Sequence, residues 1–306
     1  TADFEDSPEP RPEVAPAMEG ELEGVVRLLL EQRWPFRIHA TYDESISRIL
    51  DVYEKVAREV PFDGLRWTID HAETISPRNI ERVGALGGGI AIQHRMAYQG
   101  EYFLQRYGAQ ALAHTPPVRR MLAAGVPVGA GTDATRVASY NPWVALHWLV
   151  SGRSVGGLRM YGEDNLLDRE QALRLWTGGS AWFSGEDADK GSLEPGRYAD
   201  FSVLSADYFS IAEDAIPDIH SELTVVGGRI VHGGGGFSTL VPGLPAPVPD
   251  WSPVTLARPV HAHAHATVAA GSTCCVHDHG RPPAPAPPGG GGRGVCGALG
   301  CNCFAF

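Results

Sequence analysis

The sequence predicts an α/β protein built on a parallel sheet, and three observations carry that reading. Short, nearly continuous apolar runs of strand length recur through the first half of the chain. Each is followed or preceded by a stretch with apolar residues at helical spacing, and helix-starting and helix-stopping residues mark the junctions. Unbroken apolar strands in series with helices imply parallel pairing, with both faces of the sheet covered. A doubly wound sheet and a (β/α) barrel both satisfy this pattern.

Residues 1–16 are polar and Pro-rich and read as a loop. "MEGELEGVVRLLLEQRW" then places Leu22, Val25, Val26, Leu29 and Leu30 on one helical face. "PFRIHA" (35–40) is the first strand, and "TYDESISRILDVYEKVAREV" follows with a helical stripe of Ile46, Ile49, Leu50, Tyr53 and Val56. "LRWTIDHAE" (65–73) is the second strand. "SPRNIERVGALGG" reads as a helix with Ser76 at its cap, Pro77 in its first turn and Gly87 past its end. "GIAIQH" (89–94) is the third strand and leads into a longer loop. "TPPVRRMLAAG" repeats the helix grammar with Thr115 as cap and Gly125 as terminator, before the fourth strand "VPVGAGTDA" (126–134). "PWVALHWLVSG" and "DREQALRLWTGG" are helices, the second opened by an Asp168/Gln171 capping box.

At about residue 190 the texture changes. "GSLEPGRYADFSVLSAD" and "ELTVVGGRIVHG" are strand-like, the second a hairpin about Gly227-Gly228. The expected organisation is a barrel-like part over 1–189, a small β module over 190–240 and a low-complexity tail over 241–306, much of it without a packed core.

Composition narrows the function classes. With 306 residues the chain is long enough for one large domain or one with a satellite. A net charge of −11 argues against nucleic acid or an anionic membrane as partner. No apolar run approaches the roughly 20 residues of a membrane-spanning helix, and no signal peptide opens the chain, so a cytoplasmic location is the default. All five cysteines fall at Cys274, Cys275, Cys296, Cys301 and Cys303, which rules out a disulfide scaffold for the body. The opening "TADFEDSPEPRPEV" has neither a Met nor a basic start and suggests a fragment or a processed product.

Three of the four strands end on residues capable of chemistry: His39, His71 and Asp133, with Gln93 and His94 closing the third. Ligands of parallel α/β proteins bind at the carboxyl ends of strands, so these residues converge on one face. Imidazoles with a carboxylate and no cysteine suit zinc or a similar divalent ion. Taken singly, each has a plainer reading: a strand-end histidine that is only hydrogen-bonded, or an aspartate that forms a turn or cap. Recurrence at equivalent places in successive units is what favours a site.

"RIHATYD", "IDHAE" and "GAGTDATR", followed by "GSLEPGRYADFSVL" and "VVGGRIVHG", resemble the amidohydrolase superfamily, and within it the YtcJ-like branch, amidohydrolase family 3. The resemblance runs from about residue 20 to about 235. It implies the C-terminal half of a (β/α)8 TIM-type barrel, strands 5–8, plus part of a small β-sandwich and a Gly/Pro/His/Cys-rich tail. It implies His39 and His71 as metal ligands on strands 5 and 6, and Asp133 on strand 8 as ligand and general base. The activity implied is hydrolysis of carbon–nitrogen, amide-like bonds in a small-molecule substrate by hydroxide held on a divalent metal, most simply zinc. His71 would help polarise the carbonyl. Gln93, His94 and Arg95 are substrate-binding candidates or residues that merely order the loop that follows, and Arg136 either lines the mouth of the site beside Asp133 or is a solvated surface charge. Family members open strand 1 with a His-x-His pair, and no histidine precedes His39 here. Strands 1–4, and with them part of the metal site, are therefore expected to be missing from this chain.

Other features weigh less. "HAHAH" (261–265), "CCVHDH" and "CNC" lack the spacing of a closed zinc site, yet support an alternative reading: a non-catalytic metal-binding protein working through its tail. A third is a different α/β enzyme whose strand-end histidines are structural. Trp143, Trp148 and Trp176 read as core, and His114 and His147 as structural. Four βα units leave two open sheet edges, so copies of the chain are expected to associate. A monodisperse monomer with a cooperative melt, by light scattering and calorimetry, would contradict that expectation.

Overall fold

Four parallel strands lie side by side in chain order: β1 (Phe36–Ala40), β2 (Trp67–His71), β3 (Gly89–Gln93) and β4 (Val128–Gly131). The computed structural model describes residues 17–134 and 137–241, and the backbone of a short strand pair at 296–297 and 300–301. Sequential order is what consecutive staves of a barrel would show. A doubly wound sheet reverses direction at a switch point, whereas consecutive staves of a barrel do not.

Helices α1 (Met18–Glu31), α2 (Asp43–Ala57) and α3 (Pro77–Ala85) flank these strands, α2 packing against both α1 and α3. Register sets the covered face: Phe36 lies opposite Trp67, and Ile38 opposite Ile69. Tyr53 of α2 packs edge-on against both aromatics, its ring centre 5.8 Å from Phe36 and 5.0 Å from Trp67. Alternation sends Arg37, His39, Thr68, Asp70 and Ala91 to the opposite face. The apolar strands suggested a sheet buried on both faces. β2 and β3 largely conform, but β1 leaves Arg37 and His39 exposed on its inner side, because it is an edge strand.

The stretch after β3, expected to be a loop, is helix α4 (Met96–Leu112), interrupted at Gly108 by a left-handed φ of 82°. Its apolar residues do not keep one helical phase across that break, so periodicity did not show it. Thr115 does not cap the next helix either. Two successive prolines delay the start of α5 (Val118–Ala123), and the Thr115 hydroxyl donates instead to the Ala111 carbonyl. The other caps are as expected: Ser76 accepts from the Asn79 amide, and Asp168 and Gln171 form a capping box.

Beyond β4 come α6 (Pro142–Ser151) and α7 (Arg169–Arg174), and a π-helical turn runs from α7 into α8 (Ser180–Ser184). Helix α8 lays its aromatics on the inner face of the sheet. A Cβ on Gly89 would stand 2.6 Å from Trp182, and one on Gly129 2.5 Å from Phe183, so only glycine admits this approach. An antiparallel sheet of β5 (Phe201–Leu204), β6 (Ser221–Val226) and β7 (Arg229–Gly233) follows, its hairpin turning on Gly227 and Gly228 with φ of 56° and 74°. It belongs to the same compact unit as the parallel sheet, which ends at Leu240. Residues from Val241 form a separate unit, of which only the backbone pairing of β8 (Cys296–Gly297) with β9 (Gly300–Cys301) is described. "HAHAH" and "CCVHDH" lie outside the described residues.

Candidate metal centre

β1 delivers His39 to the carboxyl end of its exposed inner face. In β2, Asp70 faces the same way, and a regular strand would point the next residue to the other side. His71 departs from that alternation. Its φ of 80°, followed by 48° at Ala72, is left-handed backbone that non-glycine residues rarely adopt. The two imidazoles meet edge to face with ring centres 4.4 Å apart. Neither ring hydrogen-bonds to another described residue. Partial burial, and then the neighbouring His71, hold the His39 pKa below the usual imidazole range, with Asp133 pulling the other way.

At the other end of the sheet, Asp133 two residues beyond β4 also has a left-handed φ, 52°. Three such residues gathered at strand carboxyl ends cost about 1–3 kcal/mol each, and strain of this kind concentrates where geometry is put to use. Asp133 is exposed. It is close enough to act on His39 electrostatically. It does not, however, form with His39 and His71 a set of three donor atoms within 4.8 Å of one another. Among the described residues one such set exists, and it lies elsewhere, at His147, Glu213 and Asp214.

Hydrogen bonds tie together the loops that carry the two histidines. The Ala72 amide donates to the Ala40 carbonyl at 3.0 Å, and the Thr74 amide to the Thr41 carbonyl at 3.2 Å. Asp43 accepts from the Ser76 amide at 2.6 Å and from the Asn79 side chain at 2.7 Å. Beneath the His71 turn, Arg95 donates to both carboxylate oxygens of Glu73, at 2.8 and 2.5 Å, in a buried fork-to-fork pair. Sequence reasoning assigned no role to Asp43 or Glu73, and took Arg95 for a substrate contact or a residue that orders the loop after β3. The first two lie in "HATYD" and "IDHAE", but nothing in one-dimensional spacing shows that they bond across units. Arg37 likewise grips Asp70 with three contacts of 2.7–3.2 Å beside His39.

The other candidates are distributed unevenly. Gln93 is buried with its Oε1 unpartnered, and it lines a recess of about 150 Å³ with Arg37, Ala91, Gly131 and Phe183. His94 is fully buried, and neither ring nitrogen has a hydrogen-bond partner. Arg136 lies outside the described residues. A larger cleft, about 740 Å³, opens between α6–α8 and the β5–β6 strands, and no strand-end candidate lines it. Trp143 and Trp176 border that cleft half-buried, while Trp148 is core as expected. His114 is half-buried, 3.6 Å from Asp164.

A parallel α/β sheet in sequential order, with paired imidazoles at adjacent strand ends and a carboxylate beyond the last strand, defines the class. The amidohydrolase family profile matches residues 4–232, and the chain belongs to that family. It is 25% identical over 211 residues to the amidohydrolase YtcJ of Bacillus subtilis (strain 168), covering 68% of this chain and 39% of that protein. It is 28% identical over 193 residues to an N-substituted formamide deformylase of Arthrobacter pascens, covering 62% and 35% respectively. The chain thus spans well under half the length of these relatives. An uncharacterized metal-dependent hydrolase from Pyrococcus horikoshii OT3 shares the fold, with a TM-score of 0.57 and 24% identity over 69% of this chain and 41% of that one.

Two predictions follow from the buried polar groups. Glu73→Gln leaves Arg95 buried without a counter-charge and is expected to cost about 3–5 kcal/mol in urea denaturation; a cost under about 1 kcal/mol would mean the pair is not desolvated as described. Burial lowers the His94 pKa from 6.5 to about 4. The unfolded chain takes up this proton near pH 6.5 and the folded chain only near pH 4. The His94 contribution is therefore complete above pH 6.5, declines by up to about 3 kcal/mol as pH falls to 4, and is flat below. His94→Leu is expected to flatten that part of the stability–pH profile, and an unchanged profile would refute the assignment.

Proposed function

We propose that this chain carries the carboxyl-terminal part of a metal-dependent hydrolase that cleaves carbon–nitrogen, amide-like bonds. The observation that carries the reading is the His39–His71 pair, brought together at adjacent strand ends by a left-handed turn, in a chain of the amidohydrolase family. The formamide deformylase among its relatives supports the bond type.

The residues present fit one edge of a metal centre. Two imidazoles stand side by side without competing hydrogen bonds, and burial favours the neutral, coordinating form of His39. Zinc is the simplest occupant, and when bound it would lower the pKa of a water ligand to about 7. His39 and His71 would hold the metal. Asp133 would complete the set only after its exposed side chain swings toward the rings. It would then take a proton from the attacking water and return it to the leaving nitrogen. Gln93, with an unpartnered carbonyl in the recess beneath, is the best placed substrate contact, with Arg136 and His94 as lesser candidates. Catalytic zinc sites keep three protein ligands. We infer that further ligands come from barrel strands outside this chain, so that the four strands here are strands 5–8 of an eight-stranded barrel.

Imidazole NMR of the full chain titrated with zinc tests this reading. The His39 and His71 resonances are expected to shift together, with affinity weakened at least about tenfold by His39→Ala, and N-substituted formamides are expected to remain uncleaved by the chain alone. Resonances that ignore saturating zinc would sink the metal centre, and robust turnover would sink the missing-ligand inference. Deleting residues 241–306 separates the tail-based alternative: it predicts that all zinc binding disappears.

A further inference from the structure

The three-donor cluster on α6 and the 3-10 turn Glu213–Asp218 belongs to no part of the site above. His147 projects from α6, and Glu213 and Asp214 open the turn. One donor atom from each lies within 4.8 Å of the other two. The backbone beneath is held in place: Ile216 is fully buried, and the Asn141 side chain donates to the Pro217 carbonyl at 3.2 Å. Both carboxylates are exposed, with no bond to a lysine or arginine among the described residues.

A hydrogen bond does not account for this arrangement. The His147 Nε2 is buried, has no hydrogen-bond partner and stands 3.9 Å from the Asp214 carboxylate, beyond hydrogen-bond reach. What is left is an unsatisfied imidazole nitrogen facing two negative charges that repel each other. We propose that His147, Glu213 and Asp214 form a second divalent-cation site, selective for zinc and independent of the strand-end centre. An imidazole with two carboxylates suits zinc, whereas magnesium and calcium prefer all-oxygen shells. Bonds of 2.0–2.2 Å put tetrahedral donors about 3.4 Å apart. Rotation of the exposed carboxylates supplies the remaining approach, and water takes the fourth position. The ion would staple α6 to the segment that leads into β6.

Zinc titration of the full chain, followed by the Nε2 resonance of His147 and by melting temperature, tests the proposal. The resonance, assigned by its loss in His147→Gln, is expected to shift on zinc addition and to stay put with magnesium. Asp214→Asn, at a side chain 94% exposed and so harmless to folding, is expected to weaken that response at least tenfold and to abolish the zinc-dependent rise in melting temperature. A His147 resonance that stays in place while those of His39 or His71 move would overturn the second site and leave the first intact. An undiminished response in Asp214→Asn would overturn the ligand set.

Discussion

The order of the strands is the constraint on which everything else rests. Each parallel connection must return the chain to the same end of the sheet, and right-handed crossovers bring it back over the same face. Carboxyl ends therefore collect along one edge without any attraction between the residues that stand there. Residues 32 positions apart, His39 and His71, become neighbours because β1 and β2 are adjacent and in register. The same constraint lays Phe36, Trp67 and Tyr53 against one another on the helix side, where apolar burial supplies the stabilisation.

Stability and site geometry meet at the buried polar groups. The Glu73–Arg95 pair gives up hydration to fix the loop that follows β2, and that loop holds His71 in a conformation its own side chain disfavours. Asp43 does the same from the other side, joining the start of α2 to the start of α3. A site on strand ends needs such support, since strand ends lack the ladder bonds that hold strand middles. The open inner face of β1 is the counterpart of this economy. Arg37 and Asp70 satisfy each other there, where a closed barrel would place further side chains.

Much was legible in the sequence wherever local chemistry decides the outcome. Apolar runs, caps and terminators located the four strands and most of the helices, and the "GG" of the hairpin fixed its turn. Helix α4 was not legible, because Gly108 breaks the phase of its apolar face. Thr115 was misread because cap grammar is blind to a second proline. His147 read as a structural histidine because its carboxylate neighbours come from 66 and 67 residues further along the chain.

What the sequence alone determined is therefore the kind of protein and the identity of the strand-end residues: element type follows from the period of the apolar pattern, and the end of a strand from where that pattern stops. It also allowed two architectures and could not choose between them. Only the tertiary structure decided that the strands run in sequential order, that a left-handed turn swings His71 toward His39, that Asp133 stands apart from the pair, and that Glu73 finds Arg95. Those outcomes depend on registers, backbone twists and contacts between distant segments. Chain packing sets all of them, and no local pattern of residues encodes any one of them.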